Sequence, residues 1–321
     1  MGRNPNQASV LVVAGTHGNE RNAPWLLEQW RRRPEILESS GLKLELVLGN
    51  PAAHAQNRRY LERDLNRCFV PSLLADTRLE GAELQRARQL LARHGPAAET
   101  PSLVVLDLHS TTSAMGNALV LYGRRPADLA LAAGIQGLLG LPIYLHEGDR
   151  AQTGFLVESW PCGLVIEVGP VPQGVVQARI CRQTQLAVEA ALAVLAAAQR
   201  GRLRLPNQLV VHRHLGSVDL PRRPDGSPEA CLHPALQHCD WHPLQPGEPV
   251  FVDGDGAPIG YQPPPGLENQ PVWPVFINEA AYGEKGIALS LTCRESWPVC
   301  GDWLRALETL SNRLDQRGAP L

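Results

Sequence analysis

The sequence predicts an α/β domain whose sheet is covered on both faces, followed by a smaller β-rich domain. Two observations carry this. Over residues 8–199, near-continuous apolar runs alternate with stretches of helical periodicity, the pattern of a sheet buried on both sides. After Arg200 the alternation stops, and Pro- and Gly-bearing turns separate short β-type runs. A length of 321 residues, beyond the usual reach of one core, agrees with two units.

The elements follow in order. Ser9–Val13 is an unbroken apolar strand, and a helix is expected through Glu20–Arg33. LKLELVLGN (42–50) alternates as a second strand, and GAELQRARQLLARHG (81–95) places apolar residues at helical spacing. SLVVLDLHS (102–110) is a third strand, Pro126–Leu139 a helix, GLVIEVGP (163–170) a strand and Val175–Gln199 a long helix. The turn-rich segments PRRPDGSP, HPLQPGEPVF and YQPPPG follow, and an amphipathic helix is expected over 302–316. The boundary is expected near Gly201–Asn207, giving domains of residues 1–205 and 206–321.

Composition narrows the function classes. Hydrophobic content of 44% and charged content of 19% are ordinary for a folded globular chain. A net charge of −2 provides neither a nucleic-acid surface nor a polybasic membrane patch. Any positive charge that attracts an anionic ligand must therefore be local. The seven cysteines are scattered, odd in number and without a CxxC pair, which argues against disulfides and a thiolate metal site. The first ten residues, MGRNPNQASV, lack the apolar core of a secretory leader. The most apolar helical stretch, 186–198, is interrupted by Glu189 and is short for a bilayer. A cytoplasmic protein is expected. Self-association is common for such chains, but nothing here specifies an interface.

Functional residues of sheets of this kind gather at the carboxyl ends of strands. Three polar clusters fall there: His17 and Glu20 after the first strand, His109 after VVLDL, and Glu167 within VIEVGP. Two histidines and a glutamate from separate loops form the donor set of a catalytic zinc site. Each also has a plainer role. His17 and Glu20 fit a capped helix start, and His109 fits a hydrogen-bonded strand terminus. Asp107, on the same side of its strand as His109, either orients that imidazole or is a solvated strand end. Glu167 interrupts an apolar strand, where an unpaired carboxylate is costly. It is either an ion-paired buried residue or a general base of raised pKa.

The segment NRRYLERDLNRCF (57–69) concentrates Arg58, Arg59, Arg63 and Arg67 beside Asp64 and Asn66. Arginine's planar fork binds carboxylates bidentately, so this loop is either a local anion-binding field or a solvated charged loop.

The blocks GTHGNE, NPAAHAQNRRYLERDLNRCF, DLHSTTSAMG, IEVGPVPQG and VFINEAAYGEK, in this order, resemble the aspartoacylase family. The chain resembles more loosely the succinylglutamate desuccinylases, within the zinc carboxypeptidase-like hydrolases. The likeness spans roughly residues 8–290, including VDLPRRPDGSPEA and LHPALQHCDWHPLQPGEPVF. It implies a zinc-carboxypeptidase-like mixed sheet flanked by helices, with a β-rich C-terminal domain narrowing the entrance. It implies one zinc held by His17, Glu20 and His109, and Glu167 as the catalytic carboxylate assisted by Arg59. Arg59, Asn66, Arg67, Glu167 and Tyr282 become substrate contacts, Tyr282 being alternatively an aromatic packed between domains. The implied reaction is hydrolysis of a small anionic N-acyl amino acid, foremost N-acetyl-L-aspartate to acetate and L-aspartate. Acylases of N-acyl aromatic amino acids or N-succinylglutamate, and a zinc exopeptidase, are the alternatives.

One departure stands out. The family usually carries a substrate-gripping arginine shortly before the catalytic glutamate, where this chain has Phe155, Leu156 and Val157. Arg150 is the nearest upstream candidate to replace it.

Overall fold

A computed structural model describes residues 8–149, 152–268 and 270–315. Arg150 and the first seven residues, on which the expectations about a replacement arginine and a leader rest, lie outside them. The elements run β1 (Ser9–Ala14), α1 (Asn22–Arg32), β2 (Leu44–Leu48), α2 (Pro51–Ala55), α3 (Pro71–Ala75) and α4 (Ala82–His94). Then come β3 (Ser102–Ser110), β4 (Asn117–Tyr122), α5 (Pro126–Leu139), β5 (Ile143–His146), β6 (Cys162–Val168) and α6 (Ala178–Gln199). The chain continues through β7 (Gln208–Val218), β8 (Ala230–Leu232), β9 (Pro249–Asp253), β10 (Pro258–Gly260), β11 (Trp273–Val275), β12 (Leu289–Pro298) and α7 (Gly301–Ser311).

The large sheet is ordered β11-β12-β7-β5-β4-β6-β3-β1-β2, and β10-β9-β8 form a small second sheet. Strands β2, β1, β3 and β6 are parallel neighbours, whereas β4 runs antiparallel to β6. The sheet is therefore mixed, as expected. The expected boundary falls between α6 and β7. Strands β7, β12 and β11 nevertheless extend the large sheet, while β8–β10 fold apart from it. Helix α7 also returns to the first part of the chain, packing on α5 and α6 through Leu307.

Alternation along each strand sorts side chains between two cores. Val104, Leu106 and Leu108 of β3, and Leu164 and Ile166 of β6, face the core under α1, α5, α6 and α7. Val105 and Val165 face the opposite core, with Leu84 and Leu90 of α4 and the indole of Trp160. The period of two puts Asp107, His109 and Glu167 on this second face as well. Tyr122 of β4 and Tyr144 of β5 join them there. One face of the sheet thus holds every strand-borne polar group of interest.

Helix α6, 22 residues long, is long and apolar enough by composition to cross a membrane, longer than the 186–198 stretch suggested. Most of it is buried, with Ala187, Leu192 and Leu195 in the first core.

Candidate metal centre and active site

The turn after β1 carries Gly15, Thr16, His17 and Glu20 and is held tightly against the arginine loop. The N–H of Gly18 donates to the carbonyl of Arg59 at 3.1 Å. A Cβ on Gly18 would stand 2.2–2.5 Å from backbone atoms of Ala53, His54 and Arg58, so only glycine lets these two segments meet.

Glu20 lies between two imidazoles. Its Oε1 is 2.6 Å from His17 Nδ1, its Oε2 is 3.0 Å from His109 Nδ1, and Oε2 also accepts the N–H of Ser110 at 3.0 Å. Helix α1 begins at Asn22 with no side-chain cap, so Glu20 is not the capping group that the sequence allowed. The opposite ring nitrogens also face carboxylates. His17 Nε2 is 3.0 Å from Asp64 Oδ1, and His109 Nε2 is 2.8 Å from Asp107 Oδ2. Asp107 is fully buried and accepts the hydroxyl of Thr16 at 2.6 Å, so it is an orienting group and not a solvated strand end.

This arrangement tests whether a metal fits. Each imidazole meets carboxylate oxygen at both nitrogens, which requires either two imidazolium ions or a cation between the Nδ1 atoms and Glu20. In the second case Asp64 and Asp107 would hold a proton on each Nε2, leaving the Nδ1 lone pairs for the cation. The donor atoms of His17, Glu20 and His109 lie within 4.8 Å of one another, and all three residues are buried. Three protein ligands of this chemistry suit zinc with one position open.

The charges reinforce one another. Burial alone would raise the Glu20 carboxyl, but His17 and His109 outweigh it and hold the group far below the ordinary carboxylate range. Asp64 is held low in the same way, against its burial, by His17 and then Arg59. His109 is pushed well up by Asp107 and Glu20 despite its burial. Removing one partner of such a buried set strands the other, at a cost of about 3–5 kcal/mol.

Glu167 sits beside His109 in the parallel register of β3 and β6. No hydrogen bond or ion pair ties its carboxylate among the described residues, so it is not the ion-paired glutamate that the sequence left open. Burial pushes its pKa well above the usual range; His109 and Arg59 oppose the rise, while Glu20 and Glu279 add to it.

The arginine loop divides in two. Arg58 and Arg63 are exposed, whereas Arg59 and Arg67 turn inward. Glu83 of α4 is buried and accepts the backbone N–H groups of Leu61, Glu62 and Arg63, pinning this turn. Arg59 pairs with Asp64 Oδ2 at 3.2 Å and approaches Glu20 Oε1 at 3.6 Å. Its Nε has no hydrogen-bond partner among the described residues. Arg67 donates to the Asn66 carbonyl and to Gln152 Oε1, and stacks 4.2 Å above the Phe155 ring. Asn66 accepts the Leu156 N–H at 2.7 Å through its side-chain oxygen, which leaves its NH₂ group toward the chamber.

The C-terminal part also contributes lining residues to the chamber, Phe276, Glu279, Ala281, Tyr282 and Ser290. Glu279 begins the tight turn Ala280–Lys285 and accepts from Thr112 N–H at 2.7 Å and from the hydroxyls of Thr111 and Thr112. It thereby fastens that turn, whose Tyr282 lines the chamber, to the loop just after His109. Burial raises the Tyr282 pKa, with Glu167 adding to the rise, so the phenol keeps its proton.

One chamber is lined by every sequence-predicted site residue: His17, Glu20, Arg59, Asn66, Arg67, His109, Glu167 and Tyr282. Sequence reasoning missed Glu279, Lys285, Glu83 and the wall of Tyr122, Tyr144, His146 and Phe155. The first two lie in NEAAYGEK, part of the VFINEAAYGEK block that carries the family resemblance. Of the three residues in the window lacking arginine, Phe155 lines the chamber, while Leu156 and Val157 are fully buried in the second core.

Residues 6–195 match the model of the succinylglutamate desuccinylase/aspartoacylase catalytic domain, and residues 207–294 match the AstE/AspA barrel-sandwich hybrid domain. The chain is 60% identical over 304 residues to a probable aspartoacylase of Parasynechococcus marenigrum (strain WH8102), covering 95% of this chain and 99% of that protein. It is 56% identical over 301 residues to a probable aspartoacylase of Prochlorococcus marinus (strain MIT 9313), covering 94% and 97%. Among solved structures, murine aminoacylase 3 matches with a TM-score of 0.81 at 35% identity, over 93% of this chain and 98% of that one. A succinylglutamate desuccinylase from Vibrio parahaemolyticus shares the fold, with a TM-score of 0.57 at 17% identity over 91% and 83%.

Proposed function

The chain belongs to the succinylglutamate desuccinylase/aspartoacylase family, and from that premise we propose that it is a zinc-dependent deacylase of small N-acyl amino acids. One observation carries the proposal: two imidazole Nδ1 atoms converge on Glu20 beside a carboxylate, Glu167, that has no ion-pair partner among the described residues. His17, Glu20 and His109 would hold the metal. Bound there, zinc supplies Lewis-acid polarisation of the acyl carbonyl and acidifies water.

The chain's own groups do the rest. Glu167 takes a proton from the attacking water as the C–O bond forms. It returns that proton to the amide nitrogen as the C–N bond breaks, releasing a carboxylic acid and a free amino acid. A carboxyl of raised pKa suits both transfers near neutrality. Arg59 presents its unpaired Nε–H to the oxygen that gains negative charge. Arg67 and the Asn66 amide hold the α-carboxylate, fixing the amide against Glu167. Tyr282 donates its hydroxyl from above.

For the amino-acid part, N-acetyl-L-aspartate draws support from the names of the relatives. A second reading, an N-acyl amino acid with an uncharged aromatic side chain, is favoured by the ring-lined wall of Tyr122, Tyr144, Phe155 and Phe276. The test is release of free amine from a panel of N-acyl amino acids, with zinc measured on the same sample. Zinc in equal amount with protein and amine release are expected; zinc-loaded protein that cleaves none of the panel ends the proposal.

Lys285 gives a pH prediction. Its Nζ lies 3.8 Å from Asp64 Oδ2 and has no hydrogen-bond partner among the described residues. Burial, then Arg67, push its pKa down to about 8; Asp64 and Glu284 oppose this, and Arg59 adds to it. Arg63 lines the same outer cavity. The ammonium is charged below about 8 and neutral above it, so its pull on an anionic substrate fades as pH rises through that value. KM for a carboxylate substrate is expected to climb across this window, and Lys285→Arg, charged throughout, to flatten the climb. Identical KM–pH curves for the two proteins would remove Lys285 from this role.

A further inference from the structure

Two carboxylates face the imidazoles of the candidate metal centre from behind, and they are built differently. Asp107 has His109 Nε2 at 2.8 Å from Oδ2 and accepts the Thr16 hydroxyl on Oδ1 at 2.6 Å. Asp64, 7% exposed, is a junction. Its Oδ1 faces His17 Nε2 at 3.0 Å and accepts the Asn66 N–H at 2.9 Å. Its Oδ2 accepts from Arg59 Nη2 at 3.2 Å and lies 3.8 Å from Lys285 Nζ.

Placement in the fold explains the difference. Asp107 stands on β3, which is flanked by β1 and β6, and it reaches an imidazole on its own strand and the turn after β1. Asp64 stands in a loop, just before the tight turn Leu65–Arg67. Its side chain caps that turn through the Asn66 N–H, and its carbonyl accepts the Arg67 N–H at 2.9 Å. One residue thus fixes the backbone that carries Asn66 and Arg67 into the chamber lining, while its two oxygens separate a metal-ligand side from a cation side.

The cation side bears on the chemistry. A guanidinium is planar and rigid, so holding its ends fixes the direction of every other N–H on it. Arg59 is held by Asp64 at Nη2 and approached by Glu20 Oε1 at 3.6 Å from Nη1. Those two contacts set where its Nε–H, unpaired among the described residues, points.

Resting on the deacylase reading above, we infer that Asp64 is a positioning residue that acts on both parts of the reaction at once. Through His17 it orients a metal ligand, and through Arg59 it aims the donor for the oxygen that gains negative charge. Asp107, which no cation contacts among the described residues, acts on the metal alone.

Asparagine tests this because it keeps the shape of the side chain but offers one acceptor oxygen where the carboxylate offers two. With zinc bound, His17 must present its Nε2–H, which draws that oxygen and leaves Arg59 facing an amide NH₂. Zinc affinity of Asp64→Asn, read by chelator competition without substrate, is expected to fall about 10–100-fold. At saturating zinc, its kcat on the fastest-cleaved N-acyl amino acid is expected still to be lower by about 10–100-fold. In an Arg59→Ala background the same substitution should change kcat by less than about twofold, because the donor that Asp64 aims is gone. Asp107→Asn should lower kcat by one and the same factor in both backgrounds. Equal losses from Asp64→Asn with and without Arg59, or an unchanged zinc affinity, overturn the inference. A dependence on Arg59 of equal size at Asp107 would trace the coupling to the metal and overturn it as well. Where Asp64→Asn does not fold, Asp64→Glu carries the same cycle, since its extra methylene displaces the oxygen that holds Arg59, and equal losses in the two backgrounds count against the assignment. No amine release by the zinc-loaded wild-type protein removes the deacylase reading itself, and the zinc measurement, which needs no turnover, tells that failure from this one.

Discussion

Glu167→Gln is expected to lower kcat by about 10²–10⁴-fold with little change in KM or bound zinc. The carboxylate stands beside His109 in register, on the chamber face of β6, with no ion pair holding it among the described residues. Glutamine keeps the volume and a polar end but cannot accept the proton of water or return it to the amine. Because Glu167 supports no other group by hydrogen bond among the described residues, the fold should survive, with an unchanged melting temperature. Two measurements decide this: kcat at saturating substrate and zinc content on the same preparation. Normal turnover by Glu167→Gln would move proton transfer elsewhere in the chamber. Loss of zinc would instead make Glu167 part of the metal site.

Removing the metal should have the second large effect. Chelation is expected to abolish amine release, and added zinc to restore it. Glu20→Ala and His109→Ala should stay inactive at any zinc concentration, since each removes one of three ligands. Asp107→Asn should be milder, with about 10–100-fold weaker zinc binding, because the imidazole remains but its tautomer is no longer enforced. Full activity of the chelated protein would refute the metal assignment. An Asp107→Asn protein with unaltered zinc affinity would show that Thr16 and the strand suffice to orient His109.

Much of the fold was legible because strands and helices announce themselves by period. The strand SLVVLDLHS is observed at its expected bounds, as is the helix Pro126–Leu139. Strands β4 and β5 were not foreseen, and the reason is instructive. NALVLY and IYLH are short, and their alternate positions carry Tyr122, Tyr144 and His146, which line a chamber where a core-forming strand would show further aliphatics. The helix expected from Glu20 begins at Asn22, because Glu20 is taken up by the two histidines.

The candidate site divides in the same way. Residue type and strand-end position singled out His17, Glu20, His109 and Glu167, since a buried strand that ends in an imidazole or contains a carboxylate is chemically conspicuous. Resemblance to a family added Arg59, Asn66, Arg67 and Tyr282. Neither could find that Asp64 holds His17 across 47 positions, or that Glu279 reaches Thr111 across 168. Those links join distant parts of the chain and leave no local period.

By itself the sequence determined the α/β layering, the change of texture after Arg200 and the donor types offered at the strand ends, because all three are written in residue identity and spacing. Tertiary structure alone decided the directions: which imidazole nitrogens face Glu20, which arginines turn inward, and that His146 and aromatic rings form the remaining wall. The physical reason is that hydrogen bonds and burial act between neighbours in space. A side chain's protonation, orientation and role are set by whatever the fold brings against it.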